Sequence, residues 1–373
     1  MNGADPTRVL FVSKAVVPPY RDGAVCLVHG LATSASRCAP TVLTTADAPP
    51  LEGVRMDAIY GAPSRYAPPI RDNMRVLAHL VADRVHELWH FVFAPNPLTS
   101  RAGRMLRTLR GKPVLQTVAS QPRSYDRVAR LLFGDRIVAV TRHTADRLVR
   151  GGASSSRIEV IAPPVRDLSR DEACRAAARR DAGVPIGAPL FVYPGDLEFS
   201  HGAQVVADAV PTLLSSVQDA WVVYACRAKT PGARAVQRAL QQAFRGQPRV
   251  RFAGEVADLP ALLASAMAVL FPVDDLYGKI DLPYAVIEAA LLGVPVIVDT
   301  NGPLAEVQHA VAVGSREPRA VAEASIRLAH DDAARAQIGQ AMRRAALVRH
   351  DPLRVMSAYE ELYALLASGR PVA

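Results

Sequence analysis

One carboxylate inside an apolar segment is where chemistry enters this chain. Residues 264–307 read ASAMAVLFPVDDLYGKIDLPYAVIEAALLGVPVIVDTNGPLAEV, and Glu288 stands in the middle of the otherwise apolar run 284–292. A helix that is apolar all round is buried, and an unpaired acid is rarely buried with it. The conflict is relieved where the first turn of the helix faces a cleft. Its free N–H groups then receive an anion, and the acid holds a polar ligand. The stretch predicts half of a nucleotide-binding site, in the order strand, loop, helix, strand, loop, helix.

Positioning such a site requires a framework of strands and helices, and the pattern supplies one. Strands are expected at 8–13, 39–44, 87–93, 114–117, 137–141 and 158–161, with helices at 24–36, 73–84, 98–110 and 143–150. Residues 166–187, rich in charge and Ala, read as linker plus helix. A second series follows, with strands at 190–193, 221–225, 250–253, 268–271 and 295–299 and helices at 203–216, 233–244, 259–266 and 284–292. Strands alternating with helices argue for parallel sheets covered on both faces. At the end, Leu353, Met356, Tyr359, Leu362 and Leu366 recur at helical spacing over 351–368, so that helix needs a surface to pack on.

Length and composition bound the answer. The 373 residues suit two domains. Half are hydrophobic and about a fifth charged, as in a soluble globular protein. The longest apolar stretches are broken by Glu288 or Pro295, short of a spanning helix. The N-terminus shows no signal-peptide pattern, so the expected location is cytoplasmic. Cys26, Cys38, Cys174 and Cys226 are widely separated and make neither a CxxC pair nor zinc spacing. GxSxG, HExxH and Walker loops are absent, and no nucleic-acid recognition motif appears. The net charge of +9 fits attraction to a phosphorylated substrate, an acidic carrier or an anionic membrane surface. Arg101, Arg104, Arg107, Arg110 and Lys112 wind a cationic stripe along one helix. It reads either as a solvated face or as a dock for an acidic carrier protein or lipid surface.

With these residues in hand, the chain resembles the retaining nucleotide-sugar glycosyltransferases of family 4, of GT-B architecture. The likeness is strongest at 250–307 and 137–164. It implies an α/β fold of two Rossmann-like domains facing each other across a cleft. Residues 1–165 would form the acceptor domain and 166–350 the nucleotide-sugar domain, with the helix in 351–373 packing back on the first. It implies transfer of a hexose-type sugar, most often UDP-linked, to an acceptor hydroxyl or amine with retention of configuration and no metal. The acceptor, whether small, carrier-tethered or lipid-linked, is not specified. A GT-B binding protein that has lost catalysis, or a nucleotide-sugar epimerase, is the alternative.

The resemblance also sorts the site residues. Glu288 matches the second acid of the E-x7-E motif, a ribose clamp, and charge-assisted bonds to a diol suit that role. The first acid is replaced by Ile280; Asp281 then reads either as a helix cap or as a displaced catalytic contact to the sugar, and Lys279 as a diphosphate contact. The family's Arg and Lys after the first strand of the second domain are Asp196 and His201 here. His201 beside a phosphate, Arg227 and Lys229 are the expected replacements. A carboxylate at position 196 near the diphosphate would cost binding energy. Gly23 keeps one glycine of the N-terminal phosphate loop, with Arg21 adjacent. The family's catalytic histidine falls on Ala119, so His90, Lys229 and Asp281 become the catalytic candidates. Asn96, Gln116 and Ser120 are the acceptor-side ones.

Overall fold

The computed structural model describes residues 6–20, 22–63 and 68–369; Arg21 lies outside them. The chain divides into two compact units. One comprises Met1–Arg166, Tyr277–Asp281 and His350–Ala373, the other Asp167–Leu276 and Leu282–Arg349.

Unit one is built on a parallel sheet of β1 (Thr7–Val12), β2 (Cys38–Thr45), β3 (Arg55–Tyr60), β4 (Leu88–Val92), β5 (Val114–Val118), β6 (Arg136–Ala139) and β7 (Ile158–Val160). Their order is β3-β2-β1-β4-β5-β6-β7. Every residue of β4 and β5 is buried, which is why these strands read as continuous apolar runs rather than alternating ones. Helices α1 (Gly23–Ala32), α2 (Ile70–Ala82), α3 (Pro97–Arg110) and α4 (Arg142–Arg150) join the strands. Helices α2 and α3 share a core with Leu10, Leu43, Trp89 and Phe91 through Val76, Leu80 and Leu106.

Unit two repeats the plan. Helix α5 (Glu172–Asp181) leads to β8 (Leu190–Tyr193), α6 (Gly202–Ser216), β9 (Trp221–Tyr224), α7 (Pro231–Ala243), β10 (Val250–Phe252) and α8 (Leu259–Ala264). Then come β11 (Ala268–Phe271), α9 (Tyr284–Leu291), β12 (Val296–Asp299), β13 (Val311–Val313), α10 (Pro318–His330) and α11 (Asp332–Arg349). The parallel order is β10-β9-β8-β11-β12-β13.

The last helix, α12 (Pro352–Ala367), belongs to unit one and touches α1, β1, β4 and β5. Glu360 anchors it by accepting backbone N–H bonds from Ser36 (2.8 Å), Arg37 (2.5 Å) and Cys38 (3.2 Å). Leu353 is the exception on its expected apolar face, being 69% exposed.

Two expectations are corrected. The helix expected at the end of 264–307 is only a 3-10 turn, Pro303–Glu306. Residues 277–281, expected in the nucleotide-sugar domain, belong to unit one. Asp281 is wholly buried there, accepting from the hydroxyls of Thr141 (3.0 Å) and Thr144, and Ile280 forms an antiparallel bridge with Ser120.

Candidate functional site

In an open parallel sheet, ligands bind at the carboxyl ends of the strands where the strand order reverses. In unit two that point lies between β8 and β11. The loop leaving β8 runs from Gly195 to His201. A Cβ on Gly195 would lie 2.4 Å from the Tyr193 ring, and one on Gly202 3.0 Å from the Pro272 carbonyl oxygen. These two positions need glycine because the loop and the start of α6 sit hard against the strands.

The carboxylate of Asp196 turns into its own loop. It accepts from the N–H groups of Glu198 (2.8 Å), Phe199 (2.5 Å) and Ser200 (2.9 Å), and its residue is only 2% exposed. The expectation of a carboxylate opposing a diphosphate is therefore corrected: Asp196 folds its own loop. His201 is tied to the loop leaving β11, with its N–H 2.8 Å from Asp274 Oδ1 and its ring Nδ1 3.0 Å from Oδ2. Arg316, from beyond β13, reaches the same Oδ2 at 2.9 Å. Burial pushes the Asp274 carboxyl up, but the His201 N–H, Arg316 and the His201 ring together hold it below its ordinary value.

Helices α7 and α8 begin with side-chain caps, from Thr230 and Asp258. Of the two helices beside the reversal, α9 begins with none, while α6 has none from its N-cap residue His201 but gives the Gly202 N–H to Ser200 Oγ at 3.3 Å. An uncapped first turn leaves N–H groups for an anion. Arg227 and Lys229, half-buried in the loop leaving β9, stand on the same edge of the sheet.

Glu288 lies four residues into α9 from Tyr284 and is half-buried. Among the described residues its carboxyl makes no hydrogen bond. Burial raises its pKa to about 7; Arg170 opposes the rise and Asp258 adds to it. Arg170 itself grips Asp258, with Nε 3.1 and 3.0 Å from the two oxygens. A neutral carboxyl at this place both donates and accepts, and a diol that favours the ionised form would draw its proton off.

Unit one is arranged otherwise. Its strand order reverses between β1 and β4, but both helices there are capped, α1 by Asp22 and α3 by Asn96. Asp22 also pairs with Lys14 at 2.7 Å. A Cβ on Gly23 would lie 2.7 Å from Ile280 Cγ2. Gly23 is thus a packing position beside a carboxylate, not the open phosphate loop expected for it.

Other acceptor-side and catalytic expectations are corrected by burial or, for Asn96, by a helix-capping hydrogen bond. His90 is wholly buried, with Nδ1 2.8 Å from the Tyr363 hydroxyl and Nε2 2.7 Å from Thr117 Oγ1. Burial lowers its pKa to about 3, so it is a neutral core residue. Gln116, also fully buried, accepts from the N–H groups of Phe133 (3.0 Å) and Gly134 (3.3 Å) and so shapes a turn. The Asn96 side chain accepts from the Thr99 N–H at 3.0 Å. Asp281 does not cap α9, whose N-cap is Pro283. Ser120 and Lys279 remain half-buried near Ile280. The cationic stripe is partly spent as well. Arg107 binds Asp135, Arg110 the carbonyl of Asp83 (2.5 Å) and Lys112 the Asp83 carboxylate (2.8 Å).

Sequence reasoning missed Asp274, Arg316, Arg170 and Asp258. Only Asp258 carried a signal, as an Asp ahead of Leu-Pro at a helix start. Among the described residues no group of three or more His, Cys, Asp or Glu side chains is placed to hold a metal ion.

Two parallel Rossmann-like sheets in one chain define an α/β protein of GT-B type. Solved structures agree. The Anabaena Alr3699/HepE protein in complex with UDP and glucose superposes with a TM-score of 0.76 at 15% identity, covering 96% of this chain and 99% of that one. Sucrose-phosphate synthase from Thermosynechococcus elongatus superposes with a TM-score of 0.77 at 16% identity, covering 98% and 100%. At these identities the likeness establishes the fold. Residues 188–331, the core of unit two, match the family model described as Glycosyl transferases group 1. A D-inositol 3-phosphate glycosyltransferase of Xylanimonas cellulosilytica is 30% identical over 252 residues, which is 64% of this chain and 58% of that relative's length.

Proposed function

We propose that this chain is a retaining glycosyltransferase that moves a hexose-type sugar from a nucleoside diphosphate, UDP being the first choice, to an acceptor hydroxyl or amine. One observation carries the reading. At the strand reversal of unit two, α9 starts uncapped and α6 is met only by Ser200 Oγ at its Gly202 N–H, and Glu288 lies one turn into α9 with no hydrogen-bond partner among the described residues. The match of 188–331 to Glycosyl transferases group 1 covers this region, and a similar fold has been solved with UDP and glucose.

In this reading the diphosphate lies against the first turns of α6 and α9, with Arg227 and Lys229 adding positive charge. Glu288 holds the ribose diol. The bond from sugar to phosphate breaks, and the diphosphate leaves with the electron pair. The acceptor oxygen or nitrogen attacks from the face the nucleotide vacates and gives its proton to the departing phosphate oxygen. Charge on the leaving group is met by N–H groups and cations of the protein, so the proposed reaction uses no metal. Lys279 stays a candidate diphosphate contact, and Ser120 is the remaining acceptor-side candidate. Among the described residues no helix is long and apolar enough to cross a membrane; a cytoplasmic location is part of the proposal.

The test is calorimetric titration of nucleoside diphosphates into the chain and its Glu288→Ala variant, followed by NMR of the product anomer. Binding of one nucleotide that the variant loses, with an α-linked donor giving an α-linked product, supports the reading. Equal affinity of both proteins for every nucleoside diphosphate removes the site. The way Asp196 fills the N–H groups of the loop after β8 favours a second reading, a nucleotide-binding protein without turnover. Nucleotide affinity with no donor consumption under any acceptor would select it.

A further inference from the structure

Two rows of aliphatic side chains stand in solvent on the outer helices of unit one. Ile70, Met74 and Val81 are exposed on α2, and Leu98, Met105 and Leu109 on α3; Ile70 and Leu98 keep 81% and 76% of their surface. The spacings i, i+4, i+11 and i, i+7, i+11 place each set on one helical stripe. Neither stripe is the one that packs on the sheet, since Val76, Leu80 and Leu106 do that.

Their directions follow from helix geometry. At about 100° per residue, each exposed stripe lies roughly 140° round from the centre of its helix's buried residues, Asp72, Val76 and Leu80 on α2 and Ser100, Gly103 and Leu106 on α3. Seen from the N-termini, the turn is clockwise on α2 and anticlockwise on α3. The order β3-β2-β1-β4-β5 and right-handed crossovers set the two helices parallel on one face, α2 on the β2 side. These opposite turns point the stripes toward each other, over the groove between helices that are in contact. The result is one continuous apolar strip.

Its border is cationic. Arg71 and Arg75 flank the strip on α2, Arg101 and Arg104 on α3, all exposed. Arg75 is paired with Asp72 at 3.1 Å and Arg104 is held by the Arg130 carbonyl. Among the described residues Arg71 and Arg101 carry no ion pair. Neither helix exposes a carboxylate, because Asp72 is buried. A second copy is a poor occupant, since face-to-face pairing would bring the two arginine borders together.

We propose that the α2/α3 face of unit one docks on an anionic lipid bilayer, its aliphatic tips entering the boundary between headgroups and acyl chains and its arginines meeting lipid phosphates.

The test is sedimentation of the full chain with vesicles of phosphatidylglycerol and phosphatidylcholine in equal parts, and with phosphatidylcholine alone. The chain is expected to sediment with the mixed vesicles only. Arg71→Gln with Arg101→Gln should weaken that partition roughly thirtyfold, and Met74→Glu with Leu109→Glu should abolish it. Because all four positions are exposed, both variants should melt close to the parent. Three outcomes would overturn the proposal. They are no sedimentation, partition unchanged by both double substitutions, or a dimer in ultracentrifugation that Met74→Glu with Leu109→Glu dissociates.

Discussion

The ring Nδ1 of His201 lies 3.0 Å from Oδ2 of Asp274, joining the loops that leave β8 and β11. These are the two strands between which the order of the second sheet reverses. Arg316 completes the cluster at 2.9 Å, from a backbone φ of 57° that a residue with a side chain rarely adopts. A strained residue of this kind persists where its surroundings hold it, often at a site.

Asp274→Asn should therefore loosen both loops and cost roughly 1–3 kcal/mol. The carboxyl is held below its ordinary pKa. Its contribution is thus fully present above the unfolded pKa near 4 and is lost as pH falls through the lower folded value. Urea midpoints of parent and variant should differ most at neutral pH and converge in acid. A gap that widened on acidification would contradict the assignment.

Putting an acid back at position 280 should not create a donor contact. Ile280 is 4% exposed and packs where a side chain on Gly23 would stand. Ile280→Glu would bury a charge without a cation provided for it, at a cost of about 3 kcal/mol or more. Gly23→Ala should cost about 1–3 kcal/mol by crowding the same contact. Thermal melting reads both losses, and calorimetry should show no gain in nucleotide affinity for Ile280→Glu.

What the sequence made legible was whatever depends on runs and local spacing. Strands such as Leu190–Tyr193 announce themselves because they are buried on both faces, and Glu288 because it interrupts an apolar helix. The strand Arg55–Tyr60 escaped, since on the sheet edge it alternates Arg, Met, Asp, Ala and needs little apolar surface. Val311–Val313 was too short to register. Helices Pro318–His330 and Asp332–Arg349 bury mostly small side chains, such as Ala322, Ala324, Gly339 and Ala346, so their apolar faces are faint in the sequence. The structure gives other roles to four expected site residues: His90, Gln116 and Asn96 are read from their position near strand ends, and Gly23 from its likeness to the family's phosphate loop. Which side of a sheet a residue faces, and whether a later helix such as α12 covers it, is set by contacts hundreds of positions apart.

His90 should influence stability and leave the pH profile of any activity untouched. Its pKa falls to about 3 because burial disfavours the charged ring. A lowered histidine gives stability that is fully present above its unfolded pKa near 6.5 and is lost as pH falls toward 3. The parent should lose on the order of 3–5 kcal/mol over that window from this group. A His90→Gln variant should start less stable at neutral pH and show a flatter acid limb in urea titrations. A change in the pH dependence of donor turnover with unchanged acid stability would return His90 to the catalytic candidates.

Glu288 carries the opposite sign. Its pKa is raised to about 7 by burial, with Arg170 opposing and Asp258 reinforcing the rise. Ionising it inside the fold is therefore unfavourable: the cost is absent below the unfolded pKa near 4.5, grows between 4.5 and 7, and is complete above 7. Glu288→Gln should stabilise the chain by about 1–2 kcal/mol at pH 8, a figure reduced for the solvent its half-buried carboxyl still meets, and change little at pH 4. A nucleotide diol prefers the carboxylate, because charge-assisted bonds are the stronger ones. Binding should therefore expel a proton near pH 7, and affinity should rise with pH until the group is fully ionised. Calorimetry in two buffers of different ionisation enthalpy counts that proton directly. The variant, with no proton to release, should bind more weakly and with the same heat in both buffers. Equal heats for the parent would mean that Glu288 does not touch the ligand through an ionising carboxyl.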